Sequence, residues 1–446
     1  MTALLKILEL ILVMGVLILV HEAGHFAFAK IFGIRVDKFY LFFDFGDRKL
    51  LSTRSGWFSR LFPKAKEWDT EYGIGWCPLG GYCKIAGMID ESMDTEHLKT
   101  EQQPWEFRSK PAWQRLFVMA GGVLFNFLLA IVAYVGILAG WGEKYVSNEG
   151  SRIYVNELAY EMGFRNGDHI ISFDDHVPES FDMLQAELAR QMTRKAVVER
   201  GGDTLNIYID HNMIGDVLES PFMFSLALPF VINEVQENSP NRNVGLAAGD
   251  RVIAIAGQHV DFVQDGWPVL EANAGGVVDV AAVRGCDTLL MQMKVDTTGR
   301  LGVGIALPDN IRTKEYTLAA AVPAGFRKTF STIGDYVRDL RLVATPSTGA
   351  YKQLGSFISI GQAMPAQWNW YVILNYLALF SIMLAVMNLI PIPALDGGHI
   401  VFTLYEMVTG RKPSERFLLV TQMVGMLIIF GLMFLACGND IVRLVR

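Results

Sequence analysis

Leu10-Ile11-Leu12-Val13-Met14-Gly15-Val16-Leu17-Ile18-Leu19-Val20-His21-Glu22-Ala23-Gly24-His25 is the stretch on which the reading of this chain turns. An apolar run leads without a break into the pattern H-E-x-x-H. On a helix, residues four apart share one face, so the imidazoles of His21 and His25 can reach one ion. Glu22 sits beside them, where its carboxylate can take a proton from a water that zinc has acidified to a pKa of about 7. Five residues of this kind occur by chance in many chains. Here they end an apolar span, and polar groups at membrane depth are costly without a function. The competing reading is that the cluster only marks the water boundary at the end of the span.

The chain around it has 446 residues, too many for one ordinary domain. Its hydrophobic fraction of 51% and mean hydropathy of +0.28 are high for a soluble protein. The excess collects in four runs of the length that crosses a bilayer, about 20 apolar residues. They cover 3–32, 113–140, 368–390 and 417–437, the first interrupted by Lys6, Glu9 and the H-E-x-x-H cluster. The first run is not read as a cleavable signal. Only Lys6 precedes its apolar part, no A-x-A site ends it, and helix-favouring residues carry it on to Lys30. The sequence therefore predicts a polytopic α-helical membrane protein with about four transmembrane helices.

Basic residues orient the spans. Lys30, Arg35, Lys38, Arg48 and Lys49 follow the first, Arg108, Lys110 and Arg115 precede the second, and Arg411, Lys412 and Arg416 lie between the last two. Those loops are expected in the cytoplasm, and the long segment between the second and third spans in the periplasm. Arg443 and Arg446 at the tail run against this and are outweighed. The formal net charge of −7 with no basic stripe excludes a nucleic-acid partner, and membrane lipid is the expected surrounding. Cys77, Cys83, Cys286 and Cys437 have neither zinc-ribbon nor redox spacing and are read as ordinary thiols.

Between the second and third spans, short β-branched runs such as 252–255 and 277–283 alternate with glycine and Asx turns. An internal repeat appears there. Phe164-Arg165-Asn166-Gly167-Asp168-His169-Ile170-Ile171 matches Leu246-Ala247-Ala248-Gly249-Asp250-Arg251-Val252-Ile253 in pattern. Each copy resembles the Gly-Asp segment of PDZ domains, which implies two inserted β-rich modules with a peptide groove along a strand edge. The first copy lacks an apolar carboxylate-binding loop. Beyond the repeats, Phe326, Phe330, Ile333, Val337 and Leu340 predict an amphipathic helix, packed against the modules or lying at the membrane interface.

A second cluster ends the third span: Asn388-Leu389-Ile390-Pro391-Ile392-Pro393-Ala394-Leu395-Asp396-Gly397-Gly398-His399. Two prolines stop regular helix, and irregular backbone at membrane depth must be buried in protein or line a wet cavity. Catalytic zinc takes three protein ligands and an open position, and Asp396 is the carboxylate placed to be the third. His399 is expected to support rather than ligate.

H-E-x-x-H in a first span with N-x-x-P-x-P-x-L-D-G at the end of a later one resembles the site-2 protease family of intramembrane zinc metalloproteases. Two inserted PDZ-like modules and four spans resemble its bacterial RseP branch, and the resemblance covers nearly the whole chain. It implies zinc held by His21, His25 and Asp396, Glu22 as general base, and Asn388 and Pro393 holding the unwound substrate. Residues 73–84, with Gly80 and Gly81, match the family's membrane-associated β-hairpin, whose strand edge would pair with the substrate backbone. A purely structural role for that hairpin is the alternative, and Asn126 in the second span is read as either an amide hydrogen-bonding group or a helix-packing residue. Phe357, in Leu354-Gly355-Ser356-Phe357-Ile358-Ser359, stands where the family usually has proline.

The domain boundaries expected are 1–34 for the first transmembrane helix, 35–112 for the cytoplasmic loop with its hairpin, and 113–140 for the second transmembrane helix. The modules are placed at 143–228 and 229–308, the amphipathic connection at 312–362, the third transmembrane helix at 366–391, and the L-D-G motif with the fourth at 392–446. The function implied is regulated intramembrane proteolysis in the bacterial inner membrane. Its substrates would be single-span membrane proteins already shortened by another protease, such as anti-sigma factors or signal-peptide remnants, with the modules excluding bulky external domains. The competing class is a binding protein in which the modules recruit truncated envelope proteins and the metal is structural. A soluble zincin is excluded because its cleft would sit among four spans.

Overall fold

A proline-free run of 30 residues becomes the first helix, α1 (Thr2–Ile31). The computed structural model describes residues 2–78, 80–88 and 101–445, so Leu79 and the acidic run 90–94, expected to be a solvated face, lie outside the described residues. The chain divides into two units: Met1–Gly142 with Glu315–Ala344 and Tyr351–Arg446, and Glu143–Lys314 with Thr345–Ala350.

The first unit is helical around one small sheet. Its further long helices are α2 (Ala112–Trp141), α3 (Leu318–Val343), α4 (Trp370–Leu389), α5 (Asp396–Thr409) and α6 (Glu415–Val445). Four helical stretches, Ala3–Ile31, Ala112–Trp141, Trp370–Leu389 and Arg416–Val445, are long and apolar enough to cross a membrane. Without a hydrophobic force between helices in lipid, small residues set their approach. A Cβ added to Gly24 of α1 would stand 2.2 Å from the Gly121 carbonyl oxygen of α2, so these backbones touch at the H-E-x-x-H level. Val13 and Leu17 of α1 pack on Ile373 and Leu377 of α4. Ala130, Ala133 and Ile137 of α2 pack on Ala378 and Ile382 of α4.

The amphipathic helix forms as α3, and its buried face meets α2: Ile333, Tyr336 and Leu340 join that same core. Gly325 permits the approach, since a Cβ there would be 2.5 Å from Val135 Cγ2. Phe326, Phe330 and Val337 stay exposed.

Four strands, β1 (Val36–Leu41), β2 (Lys49–Ser52), β3 (Glu71–Gly75) and β4 (Tyr82–Ile85), form a sheet in the order β2-β3-β1-β4. This corrects the expected β-hairpin. β3 and β4 do not pair with each other; β1 lies between them, parallel to β3 and antiparallel to β4. β1 supplies hydrogen-bond partners for both strands. Buried Glu71 ties three strands together, accepting from Tyr40 Oη (2.6 Å), Ser52 Oγ (2.7 Å) and Lys49 Nζ (3.2 Å). These bonds outweigh burial and hold its carboxyl down at about 2.

In the second unit each repeat opens an antiparallel sheet. His169–Phe173, Lys195–Arg200 and Asp203–Tyr208 form a three-stranded one. Gln258–His259, Arg251–Ile255, Val277–Arg284 and Asp287–Lys294 form a four-stranded one. The repeated Gly-Asp has one job in both copies. Asp168 accepts from Arg200 at 2.7 and 2.8 Å and from the Arg165 amide; Asp250 accepts from Arg284 at 2.6 and 2.7 Å and from the Ala247 amide.

Candidate active site

α1 carries its two histidines into the middle of the first unit. His25 Nδ1 lies 2.8 Å from the Val118 carbonyl oxygen, so it bears the ring proton and Nε2 presents a lone pair. His21 Nε2 lies 3.3 Å from His25 Nε2. The far side of His21 meets Asn126, whose Nδ2 is 3.2 Å from His21 Nδ1. Asn126 Oδ1 is buried with no hydrogen-bond partner, and turning the amide over would let it accept a proton from Nδ1 and leave Nε2 unprotonated. Ser381 of α4 holds that residue's backbone, donating to the Asn126 carbonyl at 2.8 Å.

Asp396 arrives from the other end of the chain. α4 stops at Leu389, the two prolines follow, and α5 starts at Asp396 itself. The glycines after it are needed for space. A Cβ on Gly397 would be 2.3 Å from the Ile390 carbonyl oxygen, and one on Gly398 2.7 Å from that of Ile392. Arg115 of α2 pairs with Glu406 and anchors the far end of α5. Asp396 Oδ2 lies 3.4 Å from His21 Nε2 and 3.4 Å from His25 Nε2, buried with no hydrogen-bond partner.

These spacings fit zinc. Tetrahedral ligands at the usual 2.0–2.1 Å stand about 3.3–3.4 Å apart, which matches all three separations. Two imidazoles and a carboxylate are a catalytic donor set, and among the described residues no other cluster of histidine, cysteine or carboxylate side chains could hold an ion. Gly122 leaves the room. A Cβ there would be 2.5 Å from both His21 Cε1 and His25 Nε2.

Asn388 also reaches this point, its Nδ2 3.4 Å from His21 Nε2. Glu22 is half-buried on α1 next to the cluster. Pro393 is packed elsewhere, against Gly398 and Gly425. Gly81 lies against α1 one turn before His21, where an added Cβ would meet Ile18 Cγ2 at 2.7 Å, and Gly80 lies against the Phe43 ring, which a Cβ would meet at 2.4 Å. His399 hydrogen-bonds Gln422 and stands outside the cluster. Cys83 of β4 lies within reach of the Glu22 charge; burial first and that charge second push its thiol up, so it stays protonated.

Sequence reasoning missed Gly122, the Val118 carbonyl and the Arg115–Glu406 pair. Only Gly121-Gly122 ahead of Asn126 gave a signal, as small residues in an apolar span that mark a close helix contact.

Comparison with known proteins places the chain in one family along nearly its whole length. The model of peptidase family M50 matches residues 9–432. A Pasteurella multocida protein named as a zinc metalloprotease is 30% identical over 469 residues, covering 97% of this chain and 98% of its own. The regulator of sigma-E protease RseP of Escherichia coli is 30% identical over 465 residues, with 97% and 98% covered. Protease RseP of Yersinia pestis is 28% identical over 477 residues, with both chains covered in full. The chain therefore belongs to peptidase family M50, the site-2 proteases, and is an intramembrane zinc metalloprotease.

Proposed function

We propose that this protein is an inner-membrane protease that cuts the transmembrane segments of single-span proteins, with His21, His25 and Asp396 holding zinc and Glu22 as the base. The observation that carries the reading is the convergence of three ligand atoms, 3.3–3.4 Å apart, from two ends of one membrane-embedded chain. Zinc held by His21, His25 and Asp396 would supply Lewis-acid polarisation of a peptide carbonyl and a more acidic water. Glu22 takes the proton from that water and returns it to the leaving amine. Three converging protein ligands favour this over a structural metal, which four would normally enclose.

A transmembrane helix hides its peptide bonds, so it must unwind locally before it is cut. Asn388, at the ligand cluster, offers its amide to the unwound backbone, and Pro393 shapes the turn behind it. The strand edge at β4, with Gly80 and Gly81 leading into it, offers main-chain pairing. The two repeats of the second unit, read as PDZ-like modules on the periplasmic side, exclude substrates that still carry bulky external domains. The substrates are single-span proteins already shortened by another protease, of the kind that anti-sigma factors and signal-peptide remnants represent.

The test uses full-length protein in proteoliposomes with a single-span substrate, cleavage being mapped by mass spectrometry. Glu22→Gln should keep its zinc and lose about 10²–10⁴-fold in rate, the usual contribution of a general base. Cleavage that persists in this variant removes Glu22 from the role. A cut outside the apolar segment contradicts the intramembrane reading.

A further inference from the structure

The loop between β2 and β3 takes no part in the site. It holds a short helix, Gly56–Leu61, and a 3-10 turn, Pro63–Glu67. Arg54 closes its base, donating to the carbonyls of Trp68 and Asp69 at 3.3 and 3.1 Å. Ser59 and Ala65 turn inward and are buried. Trp57, Leu61, Phe62 and Trp68 turn outward, 61%, 65%, 51% and 50% exposed. Large apolar side chains grouped this way on a surface mark a contact with something else.

The charge around them identifies what. Arg60, Lys64 and Lys66 are exposed and make no ion pair among the described residues. From Trp57 to Trp68 these three bases face a single acidic residue, Glu67, although the whole chain carries −7. The height of the loop is fixed by register and ring contacts. Lys38 pairs with Glu71, so β3 begins level with the start of β1, just past the end of α1. Phe26 of α1 stands 5.9 Å from Tyr72, and Tyr72 stands 5.8 Å from Trp68. Trp68 is thus level with the last turns of α1, where its apolar span gives way to Lys30 and Arg35.

We propose that this loop is an anchor for anionic phospholipid. Trp57, Leu61, Phe62 and Trp68 enter the membrane interface, and Arg60, Lys64 and Lys66 bind the headgroup phosphates. Tryptophan belongs at that depth, and basic residues beside an interfacial apolar face select anionic lipid. The occupant is lipid because the patch continues the apolar band of α1 and its charge complements a phosphate surface. A docked protein is the alternative outcome.

The test places full-length protein carrying Leu61→Cys in nanodiscs of phosphatidylcholine alone or mixed with phosphatidylglycerol, and follows labelling by a neutral PEG-maleimide. The native Cys286, exposed in the other unit, is the aqueous reference. In the mixed discs, position 61 should label more than ~10-fold more slowly than Cys286. That protection should fall several-fold without phosphatidylglycerol, or when Arg60→Glu, Lys64→Glu and Lys66→Glu are combined. Equal labelling at both cysteines in both lipids overturns the proposal and leaves the patch to a protein partner. Protection indifferent to lipid charge and to the three substitutions overturns the anionic selectivity. Because all the altered side chains are exposed, the charge-reversed protein should keep its zinc, which verifies that it has folded.

Discussion

Gly122→Ala is a one-carbon perturbation aimed at the ligands. The added Cβ would lie 2.5 Å from His21 Cε1, 2.5 Å from His25 Nε2 and 2.7 Å from His21 Nδ1, where ordinary contact begins at 3.4 Å. Relief requires the rings to move by about 1 Å, roughly half a zinc–nitrogen bond. Backing α1 away as a whole would open the close Gly24–Gly121 packing of the two helices, so the rings take most of the shift. Overpacking of this kind costs about 1–3 kcal/mol, which is about 5- to 150-fold in an equilibrium constant. The affinity for zinc should fall by that factor, measured by competition with a chelator of known affinity on the purified protein. Gly136→Ala is the control, since it lies on the same helix with nothing within 4 Å of its added Cβ, and it should bind zinc as the wild type does. If Gly122→Ala binds zinc as tightly as Gly136→Ala, the close packing of α2 against the two imidazoles is wrong.

Two further predictions concern what holds the scaffold. Arg115 and Glu406 are both mostly buried, so Arg115→Glu or Glu406→Arg alone should destabilise the protein by about 3–5 kcal/mol, while the double exchange recovers part of the loss in a thermal melt. In the second unit, the hydrogen bonds from Arg284 hold the Asp250 carboxyl below its usual range, against the opposing effect of burial. A depressed carboxylate stabilises the fold above its unfolded pKa, near 4, and loses that contribution as pH falls through the folded value. The stability difference between wild type and Asp250→Asn, followed by urea-dependent proteolysis of the full chain, should hold from pH 7 to about 5 and shrink below about 4. A difference that grows on acidification would contradict the pairing.

Much of this site was legible in the sequence because its chemistry is local. H-E-x-x-H needs only helical spacing to bring His21 and His25 together, and the two prolines before Asp396 announce the break that lets α5 begin on that carboxylate. The Gly-Asp repeat was legible for the same reason, each copy being a short turn with its own Asp. The arginine that each Asp holds lies over 30 residues away and carries no local mark. The sheet beside α1 was misread because glycines around a proline look like a hairpin, whereas strand order is a non-local property: β1 enters between β3 and β4 from 30 residues earlier. Gly122 escaped notice because a missing side chain matters only once two histidines from another helix stand over it. Asn126 stayed undecided between helix packing and hydrogen bonding until His21 Nδ1 was found 3.2 Å from its amide.

The central claim is that one metal site is assembled from the two ends of the chain, and zinc stoichiometry tests it most directly. Full-length wild-type protein, purified without added metal, should carry about one zinc per chain with only nitrogen and oxygen in its first shell by X-ray absorption. Asp396→Ala should lose most of that zinc while keeping the helical content of the wild type. Full zinc occupancy in Asp396→Ala, or sulfur in the first shell, would contradict the account.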